Sequence, residues 1–160
     1  MIDTCWFGHY KGRMIPFVLT LAHHIHESVR PAVAAGETLA HAVDPAKTRP
    51  FTEWDALPPH VVVGRTMTAA GLLAAYNVSD HVPDAAYDDI NGDMIRELAE
   101  AIHSAERKAV EGGYVLIQLN RPWVEFADLP EQAQAGRKRQ AFYLLQRYRF
   151  EPRQQTIPGV

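Results

Sequence analysis

Apolar positions in the second half of the chain recur at helical spacing. Met94, Ile95, Leu98, Ala99, Ile102, Ala105 and Ala109 follow one another at steps that place them on a single stripe of a helix. Asp93 stands where an N-cap is expected, and Gly112-Gly113 supplies the left-handed residue that commonly ends a helix. A similar stripe predicts a first helix from about Met14 to Ala35, with Pro16 tolerated near its start and Pro31 expected to kink or shorten its end. Leu57-Pro58 and Leu129-Pro130 each lead into a further helical pattern. In the later one Ala133, Gly136, Ala141, Leu144, Leu145 and Tyr148 form the apolar face, and Asp128 or its turn neighbours are available as a cap. Tyr114-Val115-Leu116-Ile117 fits either a short strand or an apolar loop.

The pattern is written twice. Leu21-Ala22-His23-His24-Ile25-His26 aligns with Leu98-Ala99-Glu100-Ala101-Ile102-His103, and in the same register Arg30 meets Arg107. A second block, RPFTEWDALP from Arg49, aligns with RPWVEFADLP from Arg121 and continues without a gap through Gly64-Arg65 against Gly136-Arg137, Leu72-Leu73 against Leu144-Leu145, and Tyr76 against Tyr148. Only the stretch between the blocks differs in length, around Gly36 to Lys47, as a surface loop would. Each copy therefore reads as helix, extended loop, helix. The predicted fold is mainly α, two tandem helix-loop-helix repeats packed about a pseudo-twofold, with short strand or extended segments. The divisions are an N-terminal segment 1–13, repeat one 14–76, an Asp- and Pro-rich linker 77–92, repeat two 93–150 and a polar tail 151–160.

The repeated phrase lies in the loop entering the second helix of each copy. Its proline stiffens the chain, its aromatics (Phe51 and Trp54, Trp123 and Phe126) anchor the loop, and Leu57 or Leu129 fills the top of the core. Glu53 and Glu125 are placed to accept hydrogen bonds from the loop or from Arg49 and Arg121.

Composition narrows the function classes. A formal net charge of -3 disfavours a nucleic-acid binder driven by bulk charge, and the basic run Arg137-Lys138-Arg139 with Arg147, Arg149 and Arg153 fits a solvated helix face. The single cysteine, Cys5, forms no intrachain disulfide, and no apolar run approaches the roughly 18 to 20 residues that span a bilayer. A cytoplasmic protein is the expectation. His23, His24 and His26, with His9 and His41, invite a metal reading, but repeat two has no matching set, and neither a metal nor another cofactor is expected. Neither a serine elbow nor a histidine partner for Cys5 is visible, so no enzyme is expected.

The order of these pieces resembles the RyR repeat domain, named from ryanodine receptors and found also in bacterial and phage proteins. The similar residues in repeat two are Leu98 through His103, Pro122-Trp123-Val124-Glu125-Phe126-Ala127-Asp128-Leu129-Pro130-Glu131-Gln132, and the helix from Arg137 to Tyr148; Gly113-Tyr114 stands where the family carries Gly-Trp. Repeat one is a more diverged version. The resemblance implies a non-catalytic module that binds a small nucleotide-derived signal, either as a sensor or as a phage sponge that withholds the signal from host defence.

The residues accommodate that expectation. His26, Arg30, Arg49 and Arg65, with His103, Arg107, Arg121 and Arg137, supply donors for phosphates, and Trp54, Phe51, Trp123, Phe126 or Tyr114 supply faces for a base, with Glu125 beside them. Each also has a structural reading. The histidines suit a bond that ties helix to loop, Arg65 and Arg137 suit ion pairs to Glu53 and Glu125, and the tryptophans suit core anchors. The alternative function is an interaction module that self-associates without a small ligand, the aromatic segment Cys5 to Tyr10 being its candidate patch.

Overall fold

The computed structural model describes residues 7–10, 13–80 and 90–153 and, from Pro16 onward, their side chains. Cys5 and Trp6, the side chains of Phe7, His9 and Tyr10, the middle of the expected linker and the end of the tail lie outside the described residues. A hairpin of β1 (Phe7–Tyr10) and β2 (Arg13–Pro16) leads into α1 (Phe17–Ala34). There follow the short α2 (Leu39–Val43), then α3 (Pro59–Ala75), β3 (Tyr76–Asp80), α4 (Gly92–Gly112), α5 (Glu131–Leu145) and β4 (Tyr148–Pro152). The fold is mainly α with short strands, as the periodicity predicts. Among the described residues no helix is long and apolar enough to cross a membrane.

Several local expectations change. α1 starts at Phe17 rather than near Met14, because Arg13–Pro16 pairs with β1. It runs through Pro31 to Ala34: the missing N–H removes one link near the end, and the Ala35 N–H closes the last turn on the Pro31 carbonyl at 3.0 Å. Asn91, not Asp93, caps α4, its side chain accepting from the Met94 N–H at 3.0 Å, while Asp93 sits in the first turn, where a carboxylate suits the helix dipole. Asp128 does not cap α5; it belongs to a 3-10 turn, and Pro130 takes the cap position, as Pro58 does for α3. Gly113, at φ 80°, ends α4 in the left-handed conformation. Tyr114 to Ile117 is loop, not strand.

The linker and the tail begin as strands. Tyr76–Asp80 pairs antiparallel with Tyr148–Pro152, so residues 77–80 belong with repeat one and residues 151–152 with repeat two. In this ribbon Val78 faces Phe150, the residue that the repeat alignment makes its equivalent, so the local axis relating the copies passes between them. Arg153 extends the contact, its backbone N–H donating to Ala75 O at 3.0 Å and its side-chain Nε to Leu73 O at 2.8 Å.

Helix packing obeys the same symmetry. Each of α1 and α4 packs against both α3 and α5, so each repeat's first helix lies against its own second helix and its neighbour's. Equivalent residues share the core: Leu21 and Leu98, Ala22 and Ala99, Ile25 and Ile102, Leu72 and Leu144, Leu73 and Leu145 are all buried. The closest approaches are reciprocal. A β-carbon on Gly64 of α3 would overlap the Tyr114 carbonyl just after α4, and one on Gly136 of α5 would overlap the Glu37 carbonyl just after α1. Only glycine lets helix and loop backbones meet so closely, and the sequence places one at each equivalent position. The β3–β4 ribbon follows the C-terminal ends of α3 and α5, leaving their first turns, with the loops that precede them, at the opposite end of the bundle.

Candidate functional site

At that opposite end the two repeats enclose one cleft of about 740 Å³, lined by both. Its walls are built by the repeated phrase. In repeat one the His26 Nε2–H donates to the Thr52 carbonyl at 2.6 Å, and in repeat two the His103 Nε2–H donates to the Val124 carbonyl at the same distance. Each buried histidine thereby ties its helix to the loop entering the next one. Its ring then stacks on the phrase's first aromatic, His26 on Phe51 at 4.7 Å and His103 on Trp123 at 4.8 Å between centroids. An arginine lies over the same ring: Arg30 is 4.2 Å from the Phe51 centroid and Arg107 is 4.7 Å from that of Trp123. The aromatic of each copy is thus already engaged by an imidazole and a guanidinium.

The phrase's second aromatic anchors it. Phe126 is buried in the core, and the half-buried Trp54 packs on His23 and His26 with centroids 5.0 and 6.0 Å away. Trp54 packs against the core and does not line the cleft. Nor does Arg30, which bonds Glu53 at 2.7 Å and Glu27 at 3.1 Å. Glu53 therefore pairs with Arg30 rather than with Arg49 or Arg65, and the bond holds its carboxyl below the ordinary carboxylate range. Glu125 is exposed and outside the lining. His26, Arg49, Arg65, His103, Arg107, Arg121, Trp123 and Arg137 all border the cleft.

Its floor contains the residue that pattern-reading passes over. Arg65 Nη1 donates to Glu106 Oε1 at 3.3 Å, and Arg137 Nη2 donates to Glu106 Oε2. Arg65 and Arg137 do not reach Glu53 and Glu125, because Glu106 projects from α4 between the two second helices. It is 8% exposed, and the equivalent position in repeat one is Val29. Burial alone would raise the Glu106 carboxyl; Arg137 and then Arg65 more than reverse this and hold it ionised below its ordinary range. Gln140 completes the cluster, accepting from Arg137 Nη1 at 2.9 Å. A sequence signal for Glu106 exists: it falls on the buried stripe of α4 with Leu98, Ile102, His103 and Ala109. A carboxylate there requires a partner.

Two guanidinium groups sharing one carboxylate leave one positive charge unbalanced. The two phrases add Arg49 and Arg121, both exposed and without an ion-pair partner among the described residues. In all, five arginines and three glutamates border the cleft, so its lining is positive in a chain whose formal net charge is -3. His26 and His103 do not add charge near neutral pH. Burial and then Arg65 lower His26 to about 4, and burial and then Arg137 lower His103. Both are neutral imidazoles with the proton on Nε2, which leaves each Nδ1 as an acceptor.

Those acceptors differ. Arg65 Nε donates to His26 Nδ1 at 3.3 Å, whereas His103 Nδ1 is buried with no hydrogen-bond partner, as is the indole Nε1 of the adjacent Trp123. Among the described residues no three His, Cys, Asp or Glu side chains converge as metal ligands would. His24 instead bonds the Tyr148 hydroxyl, and His41 bonds Thr38 Oγ1 at 2.6 Å. No family model matches the chain, and neither a curated protein nor a solved structure is significantly similar to it.

Proposed function

We propose that this chain is a non-catalytic binding module of the RyR-repeat type whose ligand is a small, anionic, nucleotide-like molecule. It would serve as a sensor of such a signal or, in a phage, as a sponge for it. One observation carries the reading: both repeats open onto a single cleft whose floor holds a buried arginine pair with one shared counter-charge, and whose rims hold two arginines with no ion-pair partner among the described residues. An excess of fixed guanidinium groups in a partly enclosed site favours an anion, and planar forks suit phosphate oxygens. The volume lies within the range of small-molecule sites, roughly 300 to 1,000 Å³. Self-association has less support among the described residues, whose exposed large apolar side chains Val63, Met94, Tyr114, Val124 and Phe142 are spread over three helices and one loop.

The test is thermal unfolding of the purified protein with ADP-ribose, its cyclic isomer and cyclic nucleotides, repeated with Arg49→Ala and Arg121→Ala. A ligand at ~100 times its dissociation constant stabilises the fold by about 2.7 kcal/mol, a shift of several degrees. Both substitutions should leave the free protein's melting temperature unchanged, because the side chains are exposed and make no ion pair among the described residues, and both should reduce the ligand shift. No shift across the panel, together with a melting temperature that rises with protein concentration, would transfer support to the self-associating module.

A further inference from the structure

The cleft has a centre and two flanks. Arg65 and Arg137, at equivalent positions of the two repeats, meet at the one carboxylate of Glu106. Arg49 and Arg121, again equivalent, stand on the two rims with no ion-pair partner among the described residues. Because Val29 replaces the carboxylate in repeat one, there is one floor cluster rather than two. The repeats therefore supply halves of one site. One unbalanced charge at the floor and one on each rim outnumber the charge of a single phosphodiester and match two adjacent phosphates.

The symmetric frame is broken in what it leaves open. Phe51 and Trp123 are each already engaged by an imidazole and a guanidinium, which leaves stacking to another ring. Tyr114, 38% exposed, borders the cleft from repeat two; the equivalent position in repeat one is Glu37, which pairs with Arg139 at 2.5 Å. Repeat two also keeps the unused acceptor, His103 Nδ1, and the unused donor, Trp123 Nε1, both within walls of the cleft. In repeat one Arg65 has already filled the corresponding acceptor. Repeat one thus frames the ligand, and repeat two has the groups that read it.

Resting on the anion-site reading above, we infer that each chain binds one molecule of nucleoside-diphosphate type. Its two adjacent phosphates lie over Arg65 and Arg137 between the rim arginines, and its flat ring stacks on Tyr114 of repeat two. Tyr114 is then a specificity residue, and the ligand is held in one direction in spite of the pseudo-twofold.

Calorimetry with inorganic pyrophosphate, AMP, ADP, ADP-ribose and cyclic di-AMP tests this on the wild type and on Tyr114→Ala, Tyr114→Phe, Arg49→Ala and Arg121→Ala. The expected result is one ADP per chain and weaker AMP. Tyr114→Ala should cost ADP about tenfold or more, the loss of one base–aromatic contact, while leaving pyrophosphate unchanged; Tyr114→Phe should retain ADP binding. Each rim variant should weaken ADP and pyrophosphate alike. Two molecules per chain, AMP equal to ADP, or ADP indifferent to Tyr114→Ala would overturn the inference. Cyclic di-AMP binding while ADP and pyrophosphate do not would overturn it and leave the anion-site reading standing. Failure of all five probes to bind would remove both.

Discussion

Arg65 Nε donates to His26 Nδ1 across 3.3 Å, and the opposite nitrogen of the same ring donates to Thr52 O. This arrangement requires a neutral imidazole, since a protonated ring has no acceptor to offer the guanidinium. The folded-state pKa of His26 is lowered from 6.5 to about 4, by burial first and Arg65 second. With the folded pKa below the unfolded value, the unfolded chain binds more protons between these limits. The stability due to the neutral ring is therefore complete above about pH 6.5 and is lost as pH falls toward 4. At most about 3 kcal/mol is involved, and His103 and His24 act in the same direction. Urea unfolding from pH 7 to 4.5 should show this decline before the carboxylates titrate, and His26→Gln should flatten it. An unchanged slope in His26→Gln would assign the decline to other groups.

Gly64→Ala and Gly136→Ala should destabilise the fold to a similar extent, by about 1–3 kcal/mol each, because each new methyl would meet a backbone carbonyl that cannot move without its helix. Gly92→Ala is the control: nothing lies within 4 Å of its added carbon, and stability should hold or rise slightly. Denaturant midpoints of the three variants decide the matter. A tolerated Gly64→Ala would mean that the α3 approach to Tyr114 is looser than its counterpart at Gly136.

The repeat is legible in the sequence because paired positions bury the same side chains: the core needs an apolar residue at Leu21 as at Leu98, and at Leu72 as at Leu144, so the two copies keep a common pattern. The helices follow from that stripe. The ribbon is not legible, because Tyr76–Asp80 and Tyr148–Pro152 are five residues each and their pairing is set by helix ends far apart in the chain. At the site, repetition picks out the arginines and histidines. It passes over Glu106, because comparing copies favours what recurs, and Glu106 aligns with Val29. The partners of Arg30, Arg65 and Arg137 escape the sequence for a related reason: which carboxylate an arginine reaches depends on how the helices pack across the two repeats.

Glu106→Ala should be the most damaging polar substitution in the cleft. Removing the one carboxylate leaves Arg65 and Arg137 facing each other with side chains only 15% and 19% exposed, and breaking a buried ion pair from one side costs about 3–5 kcal/mol. Arg137→Ala should cost less, because Glu106 keeps Arg65. The order of the two urea midpoints checks this. A milder effect of Glu106→Ala would mean that water or buffer anions take over the arginines.

Tyr148 joins the ribbon to the core and should be needed mainly for its ring. It is 2% exposed, packs edge-on to Phe17 and Phe150 at 5.8 and 6.2 Å, and bonds His24 through its hydroxyl. Tyr148→Ala should lose about 3–5 kcal/mol, as for other large buried aromatics, whereas Tyr148→Phe keeps the packing and gives up a hydrogen bond of about 1 kcal/mol. Burial also raises the Tyr148 phenol far above the ordinary range. In an alkaline absorbance titration Tyr148 should ionise late, and Tyr148→Phe should remove that late step. If Tyr148→Phe proved as damaging as Tyr148→Ala, the bond to His24, not the ring, would be what secures β4 to α1.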